Sequence, residues 1–190
     1  MTTHHPERDA RPEKLPMEAR ERSTHYFEYG RYNGPVGEVR NAGQNSTPTP
    51  PVERDASGKI TPASMKQLLS TLSQSRGKNG EVDALVFQTA DIEDMVMEAY
   101  LEARQRQNSD PNRQHYSLFG GHNCGTLICE TFDAAGHPSP FFRSGYLPSD
   151  VFDQLRWNFG PSQQFEFTPK KEKVTSKICF NDEKGKQVCQ

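Results

Sequence analysis

Tyr116-Ser117-Leu118-Phe119-Gly120-Gly121-His122-Asn123-Cys124-Gly125-Thr126-Leu127-Ile128-Cys129 is the stretch on which the reading of this chain turns. Asn123 is a strong N-cap residue, so a helix is expected to open at Cys124. Gly136, with Pro138 beyond it, should close that helix. Cys124 then sits in the first turn, where free backbone N–H groups and the positive end of the helix dipole favour a thiolate. Its spacing to Leu127, Ile128 and Ala135 predicts one shared face turned toward the body of the domain. Gly120, Gly121 and Gly125 are expected to leave room for a substrate, and the Cys124 backbone N–H to help stabilise an oxyanion. Cys129 lies on another face and reads as an ordinary small core residue.

Outward from this stretch, the pattern alternates between helix and strand. Upstream, Thr24–Tyr32 is aromatic and strand-like, Asn33-Gly34-Pro35 is a turn, and Val36–Asn41 is a second strand. Residues 42–61 form a polar, proline-rich loop of a length that is either mobile or functional. Thr61 is an N-cap with Pro62 at the first helical position. Met65, Leu68, Leu69 and Leu72 then mark a buried helix face that stops at Gly77 and Gly80. Glu81–Gln88 reads as a strand. A second helix is expected from Asp91 to Gln107, with Ile92, Met95, Val96, Ala99 and Ala103 as its inner stripe and charges arranged along the dipole. Beyond Gly136, a short helix near Ser149–Trp157 precedes strands. The expected fold class is α+β: a small antiparallel sheet packed on a cysteine-bearing helix.

The chain has 190 residues, 23 Lys+Arg against 25 Asp+Glu, and 32% hydrophobic residues. One domain over residues 23–190 fits that length. The near-neutral balance argues against a protein held to nucleic acid by bulk charge. No apolar run approaches the roughly 18–20 residues of a membrane span. Residues 1–22 carry five basic and five acidic side chains and little apolar surface, so they read as a flexible tail or linker. They hold no apolar h-region, and no conventional signal peptide is expected. The 14 Gly and 14 Pro exclude a helical bundle. Cys179 and Cys189 flank a turn-rich stretch, where a hairpin would allow either a disulfide or two reduced thiols. With no C-x-x-C, a structural zinc site is not expected, and a site built on His122 and Cys124 lacks the usual ligand spacing.

A thiolate nucleophile needs a base. His4 and His5 lie in the tail, His137 follows a helix end, His115 is in a polar loop, and His122 is too close in sequence for a good approach angle. His25 is expected on a strand, sharing a face with Phe27 and Tyr29. His25 on an early strand, followed about a hundred residues later by Asn123-Cys124 opening a helix, resembles the circularly permuted papain-like hydrolases. These include lecithin:retinol acyltransferase-like proteins and bacterial cell-wall peptidases. The segment His25–Arg40 also resembles secreted bacterial toxin domains, particularly type VI secretion effectors. The resemblance covers roughly residues 24–137. It implies a third polar residue that orients the imidazole. Glu38 is the candidate, Asn41 a weaker one, and Arg40 cannot accept a hydrogen bond. Tyr26 and Asn123 are expected to support the site.

The resemblance implies a cysteine hydrolase without metal or organic cofactor, in which His25 activates Cys124 toward an amide bond. The expected substrate is the peptide of the bacterial cell wall. The expected setting is an antibacterial effector, secreted and delivered into a target cell, with a secretion-machine component and a cognate immunity protein as partners. A protease, deamidase or acyl-ester hydrolase acting on a target-cell protein or lipid shares this chemistry. A non-catalytic binding module on the same fold does not.

Overall fold

The computed structural model describes residues 25–41, 49–118, 122–137 and 147–190. The expected tail, Gly120, Gly121 and Pro138 lie outside the described residues. In chain order the elements are β1 (Phe27–Gly30), β2 (Glu38–Asn41), α1 (Pro62–Ser75), β3 (Val82–Val86), α2 (Asp91–Arg106), α3 (Cys124–Ala134), α4 (Pro148–Asn158), β4 (Gln163–Thr168), β5 (Lys173–Asn181) and β6 (Gln187–Cys189). The fold is α+β, as the alternating pattern requires. Among the described residues there are two antiparallel sheets where one was expected: the β1–β2 hairpin and a four-stranded sheet in the order β3-β4-β5-β6.

The strand period explains how that larger sheet is covered. Val82, Ala84 and Val86 of β3, with Phe165 and Phe167 of β4, turn to one face and pack with Met65, Leu68 and Leu69 of α1. Leu85 and Phe87 turn to the other face and meet Cys129 and Phe132 of α3 and Val151 and Leu155 of α4. The sheet is thus held between α1 and the α3–α4 pair. Thr61 caps α1 as expected, its hydroxyl accepting from the Ser64 N–H. The buried amide of Gln163 acts as an extra strand pair. It accepts from the Ile60 N–H at 2.8 Å and donates to the Ile60 carbonyl at 3.0 Å, which docks the loop before α1 onto the sheet.

α2 departs from expectation. Its predicted inner stripe faces water: Ile92 is 64% exposed, and Met95 and Val96 are also exposed. A second set, Met97, Tyr100, Leu101 and Arg104, faces the protein. Both sets have helical spacing, and periodicity alone does not choose between them. The choice is made by polar ties to α3: Tyr100 Oη donates to Glu130 at 2.7 Å, Arg104 lies 3.8 Å from the same carboxylate, and His137 Nε2 is 3.0 Å from Glu93. These pairs run in opposite chain directions, so α2 and α3 are antiparallel. The C-terminal end of α2 therefore lies beside the N-terminal end of α3. Trp157, near the end of α4, is also exposed.

Candidate active site

Asn123 is fully buried and ties down the entry to α3. Its Oδ1 accepts from the Thr126 N–H at 3.2 Å, its own N–H donates to Thr126 Oγ1 at 2.8 Å, and its Nδ2 donates to the Leu118 carbonyl at 3.2 Å. These reciprocal bonds set Cys124 as the first helical residue, half-buried and with a free thiol. Gly125 does not open a substrate gap as expected. A Cβ there would meet Val151 Cγ2 at 2.7 Å and Asn123 Oδ1 at 3.0 Å, so the missing side chain lets α4 approach α3 closely. Ile128 is exposed, whereas Gly125, Leu127, Cys129 and Thr131 are buried. The buried face of α3 is thus rotated from the one the spacing suggested.

The surroundings of Cys124 are phenolic. Tyr116 Oη points its proton at Sγ from 4.0 Å. The Tyr116 ring contacts that of Tyr29 on β1, with centroids 5.5 Å apart and planes tilted by 50°. Burial, and then the nearby Cys124 charge, hold the Tyr116 phenol above the ordinary tyrosine range; Tyr29 is raised mainly by burial. Both rings are therefore protonated donors at neutral pH. Sequence reasoning did not find them, since no spacing rule links Tyr116 or Tyr29 to Cys124. The backbone does the linking: the Tyr116 N–H bonds the Pro35 carbonyl at 2.9 Å, and His115 bridges Val36 beside β2.

His25 stands two residues before β1 rather than on it, and is half exposed. Its Nδ1 is paired with Glu98 of α2. Among the described residues, no hydrogen bond or ion pair joins His25 to Cys124. Glu38 does not face His25. Its carboxylate is 2.7 Å from Arg40 Nη2 and 3.4 Å from Arg113 Nη2, because two guanidinium groups outcompete a half-exposed imidazole for a largely buried carboxylate. The carboxylate on the imidazole is Glu98, which sequence reasoning missed because it lies on a different element, 73 residues further along the chain. Tyr26 is also turned away. It donates to Glu28 at 2.7 Å on the strand face opposite Tyr29, and Tyr32 and Arg76 complete that cluster at 2.5 and 3.1 Å.

Cys129 contrasts with Cys124. Burial first, then the Asp133 and Glu130 carboxylates, push its thiol up to about 12. It is an inert core residue, as expected. Cys179 and Cys189 face each other in the β5–β6 register and form a disulfide. Among the described residues, no group of three or more His, Cys, Asp or Glu side chains is placed to hold a metal ion, so His122 and Cys124 gain no further ligand. No described helix is long and apolar enough to cross a membrane.

Two covered faces of a small antiparallel sheet, and a capped helix that carries a free thiol among protonated phenols, define an α+β domain with one candidate thiol site. A sequence profile of the TseH-like type VI secretion system effectors matches residues 17–138, and the chain belongs to that family. The fold is similar to the crystal structure of the type VI secretion system effector TseH, with a TM-score of 0.66 and 25% identity over 81% of this chain and 80% of that one. No curated protein matches.

Proposed function

We propose that this type VI effector is a cysteine hydrolase of permuted papain-like type, with Cys124 as nucleophile and His25 as base. The observation that supports it most is the half-buried free thiol at the Asn123-capped tip of α3, with the Tyr116 hydroxyl directed at its sulfur. Glu98 on Nδ1 of His25 leaves Nε2 as the nitrogen that takes the thiol proton. The thiolate attacks an amide carbonyl, the oxyanion meets the N-terminal N–H groups of α3, and imidazolium gives its proton to the leaving amine. Water then releases the acyl group from the thioester. The reaction requires Nε2 and Sγ to meet in the substrate complex, since catalytic hydrogen bonds often close only there. The substrate we assign is the stem peptide of bacterial peptidoglycan. Delivery is by the secretion machine, and a cognate immunity protein blocks the site.

The test is digestion of purified sacculi, with target-cell lysate as the comparison. Cys124→Ala and His25→Ala should each abolish product. Activity retained in His25→Ala removes the assigned base, and products from a lysate protein or lipid alone move the substrate to that class. A second reading, a binding module on the same fold, draws on the engagement of His25 with Glu98 of α2. Under it, Cys124→Ala would remain as toxic as the parent chain.

A further inference from the structure

We infer that the C-terminal hairpin is closed by oxidation only after the chain leaves the reducing cytosol, so that the edge of the sheet is fastened in an oxidising compartment and open in a reducing one. It is carried by the architecture of β5 and β6. β6 has three residues and forms one edge of the sheet, paired only with β5. The side chains that would hold it by burial face water instead: Ile178, Phe180 and Val188 are all exposed. What holds it is the ladder it shares with β5 over Cys179–Asn181 and Gln187–Cys189, continued by Ile178 and Gln190 exchanging N–H···O bonds at 2.8 and 3.0 Å and by the Asp182 N–H on the Lys186 carbonyl at 2.8 Å, with the Gln187 amide donating to the Pro161 carbonyl at 3.2 Å. A three-residue edge strand with so little apolar cover is the part of this four-stranded sheet that opens most readily. The Cys179–Cys189 bond directly across it supplies the missing constraint.

The hairpin also builds something. Cys179, Phe180, Asn181 and Gln187 line an open pocket of about 220 Å³ together with Phe87 and Phe159. Cys179 is buried there and its N–H bonds the Ser162 carbonyl at 3.0 Å, so the oxidised hairpin is anchored to the turn before β4. In closure, two S–H bonds break and one S–S bond forms. The two electrons and two protons pass to the disulfide of a thiol–disulfide oxidoreductase, which leaves as a dithiol. Disulfides of this kind persist in the periplasm and are reduced in the cytosol.

The full-length Cys124→Ala chain is the material for the test, so that neither readout depends on activity and failure of the hydrolase reading leaves both intact. Produced in the cytosol, it should be alkylated at Cys179 and Cys189; exported to the periplasm, at neither. By hydrogen exchange, the Ile178, Asp182 and Gln190 amides of the reduced chain should exchange at least about tenfold faster than those of the oxidised chain, while β3 and β4 amides stay protected. A Cys179→Ser/Cys189→Ser chain should behave like the reduced form in either compartment. Free thiols in the exported chain, or equal exchange in both redox states, would overturn the inference.

Discussion

At the scale of single residues, two free thiols five positions apart are made chemically different by their surroundings. Cys129 is sealed in the α3–α4 core with its thiol pushed up to about 12, whereas Cys124 is half-buried at a helix tip. Brief iodoacetamide treatment of the oxidised native protein at pH 7 should therefore modify Cys124 and spare Cys129, as read by peptide mass. Equal labelling would remove the special environment assigned to Cys124. Under the proposed mechanism Glu98 acts through the ring of His25, so Glu98→Gln should lower kcat at least about tenfold with KM unchanged, and Glu98→Asp should restore part of it. A loss confined to KM, or no loss, would return Glu98 to an ordinary surface role. The free thiol at a helix tip was legible in the sequence because a cap and a helix start are local signals. Glu98 was not, because its partnership with His25 comes from the stretch before β1 meeting α2 in space.

At the scale of elements, the N-terminus of α3 is where cap and packing meet. Asn123→Ala removes a cap, worth about 1 kcal/mol, and deprives the Leu118 carbonyl of a donor. Urea denaturation should show a loss of about 2 kcal/mol, and slower Cys124 alkylation should accompany it. Gly125→Ala places a methyl where Val151 already stands, and overpacking of this kind typically costs about 1–3 kcal/mol. A Gly125→Ala chain with an unchanged urea midpoint would mean that α4 is free to give way. The same contact explains one misreading: a glycine beside a nucleophile suggests space for substrate, but here the space is filled by another helix. α2 shows the converse error. Its two apolar sets share one period, and the polar bonds to Glu130 and Glu93 decide which faces inward.

At the scale of the whole molecule, several groups are kept protonated by the folded state. Burial and the Glu28 and Glu130 carboxylates raise Tyr26, Tyr32 and Tyr100 well above the ordinary tyrosine value of 10.0, and Cys129 rises from 9.0. Each folded-state value lies above the unfolded one, so between the two the native chain holds protons that the unfolded chain releases. The stability they contribute is complete below about pH 9 and is lost as pH rises toward and beyond 12. The urea midpoint should fall between pH 8 and pH 10.5, and Tyr26→Phe with Tyr32→Phe should flatten that fall. Sequence by itself determined the α+β class, the caps of α1 and α3, the position of Cys124 at a helix tip and the coreward role of Cys129, because caps, periods and turn residues act within a few positions. Tertiary structure alone decided how the described strands divide into sheets, which side of α2 is wet, that Glu38 belongs to Arg40 and Arg113, that Tyr116, backed by the Tyr29 ring, meets the thiol, and that Glu98 holds His25. Those outcomes depend on burial and charge pairing between segments tens of residues apart, which no local pattern encodes.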